Sequence, residues 1–177
     1  MLWISVHVPK TAGTSFRHAL ESHFGAARIC LDYGDRPMNV PSLARKTRAL
    51  WELARGLVSP WPAVDCIHGH FLPLKYAGLA RRGPVKFITW LRDPIDRLLS
   101  AYRHYRRQQV TDSTRMNGRV AREQWPLDKF LLHPHYRDRY ARFLWRFPLE
   151  RFDFVGITEH YQDDLEDLGE QMGARLE

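Results

Sequence analysis

Cysteine is nearly missing from this chain: Cys30 and Cys66 are the only two in 177 residues. They lack the paired spacing of a zinc site, and they read as reduced core residues rather than as a disulfide. Long apolar runs are missing too, since none approaches the roughly 20 residues needed to cross a bilayer. The first apolar stretch begins at about Leu2, which leaves no room for the charged and apolar regions of a signal peptide. A cytoplasmic protein is therefore expected. There is no internal repeat and no low-complexity tract. Acid is the scarcer charge, with 20 Asp and Glu against 27 Lys and Arg, a net charge of +7. That excess points to an anionic partner, a nucleotide or an acidic acceptor. Hydrophobic content of 44% and charged content of 27% exclude a disordered chain and fit one folded domain spanning 1–177.

Five β-rich stretches stand out: Leu2 to Val8, a weak Arg28 to Leu31, Val64 to Ile67, Val85 to Leu91 and Asp153 to Ile157. Helical periodicity fits Thr14 to Phe24, Ser42 to Leu57, Leu74 to Arg81 and Ile95 to Gln109, then Leu127 to Leu132, Tyr136 to Phe147 and Tyr161 to Met172. Strands alternating with helices predict an α/β domain of three layers, a central and mostly parallel sheet flanked by helices. Ligands in such sheets sit beyond the carboxyl ends of the strands. Lys10, His70 and Arg92 each fall just past a predicted strand end. Tyr33 to Pro41 and Thr111 to Pro126 read as loops, and acceptor binding is assigned to the second.

The first strand runs into Pro9-Lys10-Thr11-Ala12-Gly13-Thr14-Ser15, a small-residue turn that opens a helix. Converging backbone N–H groups, a helix dipole and the Lys10 charge make an anion site there. The order is not that of a Walker A loop, because Lys10 precedes the only glycine. Alone, the segment also fits an ordinary βα turn with a surface lysine. A second segment, Leu91-Arg92-Asp93-Pro94, ends the fourth strand and starts a helix that Asp93 caps and Pro94 enters. Ile95, Leu98, Leu99 and Tyr102 are expected to form its buried face. Arg92 and Ser100, two turns into the helix, could meet one anionic group, although a lone helix serine is ordinarily just surface. His68-Gly69-His70 follows the third strand; a neutral imidazole there suits a general base, and a hydrogen-bonded loop histidine is the plainer reading. His7, His18 and His104 carry no such expectation. Glu159 reads as a cap or ion-pair partner. Arg97, Arg103, Arg106, Arg107, Arg115, Arg119 and Arg122 form an arginine-rich run that suits anion binding or a solvated face.

Three segments in this order resemble sulfotransferases that use 3′-phosphoadenosine 5′-phosphosulfate (PAPS), and the likeness extends to Phe152 through Glu159. It implies a P-loop-like fold. Pro-Lys-Thr-Ala-Gly-Thr-Ser resembles the family's 5′-phosphosulfate loop, which implies PAPS contacts from Lys10, Thr11, Ala12, Gly13, Thr14 and Ser15. The segment from Leu91 to Tyr102 resembles its 3′-phosphate motif, which implies Arg92 and Ser100 as holders of that phosphate. His-Gly-His resembles the glycan 2-O-sulfotransferase branch, which implies His70 as catalytic base, His68 as a helper and a carbohydrate hydroxyl as acceptor. PAP (3′-phosphoadenosine 5′-phosphate) is then the product, and neither a metal nor nucleic acid is implied. Relatives usually extend further, so part of the adenine or acceptor pocket is expected beyond Glu177. Rival readings are a P-loop-type kinase, a basic nucleic-acid-binding module, and a PAP-binding protein without turnover.

Overall fold

Alternation along the first strand decides how the layers form. In β1 (Leu2–Val6), Leu2, Ile4 and Val6 enter one apolar core while Trp3 enters the other. Residues two apart share a face of a strand, so a strand buried along its whole length must be covered on both sides. The computed structural model describes residues 1–35, 41–107 and 116–177. Around β1 it sets β2 (Ile29–Asp32), β3 (Cys66–Gly69), β4 (Val85–Leu91) and β5 (Phe154–Ile157) in the order β2-β3-β1-β4-β5. Every neighbouring pair is parallel, so the expected sheet is present in wholly parallel form.

One face is covered by α1 (Gly13–Phe24) and α7 (Tyr161–Met172). Phe16, Ala19 and Leu20 of the first and Leu165 and Leu168 of the second close over Trp3, Cys66, Ile88 and Trp90. The opposite face buries Ile4, Ile67 and Phe87 under Phe71, Leu74, Phe147 and Phe152. Each large apolar side chain so buried contributes roughly 1.5–3 kcal/mol. A third cluster, Ala101, Tyr105, Val120, Trp125, Phe130 and Tyr136, joins α3 (Pro94–Arg107), α4 (Met116–Arg122) and α5 (Leu127–Leu132). Because chain leaves β1 toward β2 and β4 lies on its other side, the carboxyl end of β1 is where connections diverge.

Four expectations are corrected. Leu74 to Arg81 is not one α-helix but two 3₁₀ turns, Pro73–Tyr76 and Leu79–Arg81. The backbone between them lies so close to α2 (Ser42–Gly56) that a Cβ on Gly78 would come within 2.3 Å of the Leu53 carbonyl oxygen. Tyr136 to Phe147 shrinks to a 3₁₀ turn, Pro134–Tyr136, and α6 (Arg139–Phe143), separated by Asp138 in a left-handed conformation with φ 52°. The supposed loop from Thr111 to Pro126 contains α4: Val120 and Trp125 are buried, and tertiary burial outweighs the Asn-Gly turn signal. Its residues 111–115, Arg115 among them, lie outside the described residues, as do 36–40 of the first loop and 108–109, the expected end of the helix from Ile95 to Gln109. Finally, α3 buries Arg97, Ala101 and Tyr105, whereas Ile95 is 66% exposed. The Arg97 guanidinium lies over the Tyr140 ring, 5.6 Å from its centre, so α6 recruits a cation to the inner face.

Candidate active site

The chain leaves β1 through a turn held from inside. Thr11 is fully buried and its hydroxyl donates to the Val8 carbonyl at 2.8 Å, so that hydroxyl is spent inside the turn. Lys10 and Ala12 both adopt left-handed conformations, φ 74° and 58°. Left-handed residues alternating with ordinary ones turn successive N–H groups to one side, an anion-binding concavity. Two non-glycine residues in that region cost about 1–3 kcal/mol each, strain of the kind found at ligand sites. Gly13 then opens α1 against the His7 ring: a Cβ there would lie 1.9 Å from His7 Nε2, so a larger residue would displace that ring. Thr14 and Ser15 are exposed in the first helical turn, where backbone N–H groups have no partner within the helix.

Across the crevice, β4 delivers Arg92. Asp93 accepts from the N–H groups of Ile95 and Asp96 at 2.8 and 3.0 Å, capping α3, which begins at Pro94 as expected. The Tyr140 hydroxyl accepts from the Arg92 N–H at 2.9 Å and donates to the Arg92 carbonyl at 2.5 Å, pinning the strand end. Glu159 accepts from the Asp93 N–H at 3.1 Å and faces Arg92 Nε at 3.7 Å, the partner role anticipated for it. Arg92 Nε is itself buried without a hydrogen-bond partner. Burial, then Arg107, then Arg92 lower the Lys10 pKa, so three cations crowd one rim. Burial, Lys10 and Arg107 lower that of His104 likewise. Ser100, His104 and Arg107 lie on one face of α3 by their i, i+4, i+7 spacing. Lys10, Arg92 and the Ser100 face are thus assembled, joined by His104 and Arg107. Like charges so placed repel one another, and an anion relieves that repulsion.

The histidines occupy the same strand ends toward β3. His68 sits inside the sheet, 1% exposed, with Nδ1 2.8 Å from the Ser5 hydroxyl and Nε2 buried without a partner. It is stacked with His7, ring centres 5.5 Å apart. His70, past the strand end, reaches the crevice and places Nε2 3.1 Å from His7 Nδ1. Tyr33 and Phe143 present ring edges to it at 4.8 and 6.1 Å. Burial drives all three rings toward neutrality. The His70 pKa falls to about 4, with Arg139 adding to burial. That of His68 falls to about 3, with His70 adding, and that of His7 to about 2, with His70, His68 and Lys10 adding. His7 is the residue that sequence reasoning missed, because it lies in an apolar run and reads as strand filling. The available signal was Gly13, whose missing side chain makes room for that ring. Among the described residues, no group of three or more His, Cys, Asp or Glu is placed to hold a metal ion.

The parallel sheet thus carries a turn suited to an anion after its central strand and an arginine at the end of the next one. The chain belongs to the Sulfotransferase family, whose model matches residues 3–175. Among solved structures it is similar to mouse sulfotransferase SULT7A1 complexed with PAP, at 16% identity and a TM-score of 0.50. The match covers 99% of this chain and 59% of that one, so the chain spans under two-thirds of that protein's length. A sulfotransferase from Alicyclobacillus acidocaldarius is similar at 17% identity and a TM-score of 0.47, covering 97% of this chain and 78% of that one. No curated protein matches the sequence. No described helix is long and apolar enough to cross a membrane.

Proposed function

We propose that the chain transfers the sulfuryl group of PAPS to a hydroxyl of a carbohydrate acceptor and releases PAP. The observation that carries this reading is the crowding of Lys10, Arg92 and Arg107 on one rim, beside a turn whose left-handed residues gather N–H groups. The N–H groups from Thr11 to Ser15 and the Lys10 ammonium bind the phosphosulfate. Arg92 and Ser100 bind the 3′-phosphate, with the Arg92 guanidinium held at the strand end by its ion pair to Glu159.

His70 is the base. His70 Nε2 lies 3.1 Å from His7 Nδ1; with the shared proton on His70 Nε2, the His70 Nδ1 lone pair is left for the acceptor hydroxyl. As the new sulfur–oxygen bond forms, the hydroxyl proton passes to His70. The sulfur–oxygen bond to the 5′-phosphate breaks, its electron pair remains on the phosphate oxygen, and Lys10 neutralises that charge. His7 fixes the tautomer of His70, while His68, sealed under His7, supports it without touching substrate. Tyr33 and Phe143 beside His70 suit the apolar face of a sugar ring.

The test is transfer of labelled sulfate from PAPS to a panel of oligosaccharides, with lipid, phenol and small-alcohol acceptors beside them. Labelled sugar supports the reading, whereas label only on a phenol or a lipid alcohol rejects the carbohydrate. Tight PAP binding with no transfer to any acceptor would favour a PAP-binding protein without turnover.

A further inference from the structure

Helix α2 is built inside out. Its inner face carries Arg45, Ala49 and Gly56, all buried, and the small residues let its backbone approach Gly78 closely. Its outer face carries Leu43 at 74% exposed, Leu50 at 40% and Trp51 at 60%, and the chain just beyond it adds Val58 at 81%. With Ala54, which is also exposed, these residues fall on one side by their spacing, a strip along the whole helix. Leu57 and Trp61, both exposed, extend it past the helix end. Nothing else described on the surface gathers large apolar side chains so densely, and a contiguous patch of this kind marks an interaction surface.

The charge around the strip identifies what it meets. Arg48 and Arg55 flank one edge, each about half exposed. Lys46 lies on the other edge, with its ammonium over Trp145 at 5.1 Å, and Arg146 stacks on the same ring at 5.2 Å. Arg82 closes the far end, where it donates to the Ser59 carbonyl. Glu52, the one acid in the helix, faces the flank and pairs with Arg55 at 3.6 Å. Leucine, valine and tryptophan framed by arginine and lysine suit the boundary between anionic headgroups and acyl chains. A second copy of this chain would instead bring cations against cations. We propose that the outer face of α2 docks the protein on an anionic lipid surface, lying in the interface and not crossing it.

This inference is independent of the sulfuryl-transfer reading. The test is co-sedimentation of the chain with phosphatidylcholine vesicles, with and without phosphatidylserine, over a range of salt. The wild type should pellet with the anionic vesicles and be released as salt rises. The variants Leu50→Gln and Trp51→Gln leave the charge unchanged, and circular dichroism checks that they fold. Together they should weaken vesicle binding by about tenfold or more, because the apolar insertion is lost while the basic attraction remains. Equal binding by the paired variant would show that net charge alone drives association, and would overturn the docking face. So would failure of the wild type to bind anionic vesicles at low salt. A dimer that sedimentation velocity detects in the wild type and not in the paired variant would assign the face to a second copy and reject the lipid.

Discussion

His7 and Lys10 leave the same strand end, yet they belong to regions of opposite electrostatic character. Around Lys10, burial and two guanidiniums crowd positive charge onto an open rim. Around His7, burial removes charge, and three imidazoles cluster as neutral rings. The contrast matches a division of labour. A polyanionic donor needs fixed cations, while an acceptor hydroxyl needs a base that is unprotonated at physiological pH. One turn of chain serves both, because Gly13 lets the His7 ring lie against the anion loop.

The sharpest way to break this division is Lys10→Ala. It removes the charge nearest the departing phosphate oxygen, so kcat/KM for PAPS should fall roughly 10³–10⁵-fold and PAP should bind more weakly. Steady-state kinetics beside PAP titration check it, and a loss confined to KM would mean that Lys10 only binds the donor. His70→Ala should lower kcat about 10²–10⁴-fold and leave PAP affinity unchanged. A matching loss of PAP affinity would erase the distinction between the two regions. Arg92→Ala should cost about 1.5–3 kcal/mol of PAP binding but little for adenosine 5′-phosphosulfate, which lacks the 3′-phosphate. Ser100→Ala should follow the same pattern at about 0.5–1.5 kcal/mol.

The smallest effect concerns the neutral pocket at rest. The three histidines titrate near 6.5 when unfolded and at about 4, 3 and 2 when folded, so the unfolded chain binds more protons as pH falls below 6.5. Stability should therefore be fully present above about pH 7 and decline below it, by about 1 kcal/mol for each ring at about pH 5.8. Denaturant melts of wild type and His68→Gln would read it. The variant should show a shallower decline, and parallel curves would mean that His68 is not buried neutral.

The sheet was legible because its signals are local. Each strand is an apolar run broken by a turn former, and Lys10, His70 and Arg92 announce themselves by following such runs. Asp93 and Pro94 mark a helix start by side-chain chemistry alone. The region from α3 to α6 was harder to read, because packing between distant segments decides it. Val120 and Trp125 become core through Tyr105, Phe130 and Tyr136, and nothing near Asn117-Gly118 records that. Arg97 faces inward because Tyr140 waits there, a contact that helical periodicity assigns to Ile95 instead. His7 stayed hidden for the same reason: its partners, His70 and Gly13, meet it only once the sheet has formed.

Calorimetric titration of PAP, with a chelator present, into wild type, Arg92→Ala and His70→Ala tests the central claim most directly. Tight binding to wild type without magnesium, unchanged in His70→Ala and at least about tenfold weaker in Arg92→Ala, is the predicted result. Binding that required magnesium, or that His70→Ala lost as readily as Arg92→Ala, would contradict a cationic donor rim set apart from a neutral acceptor pocket.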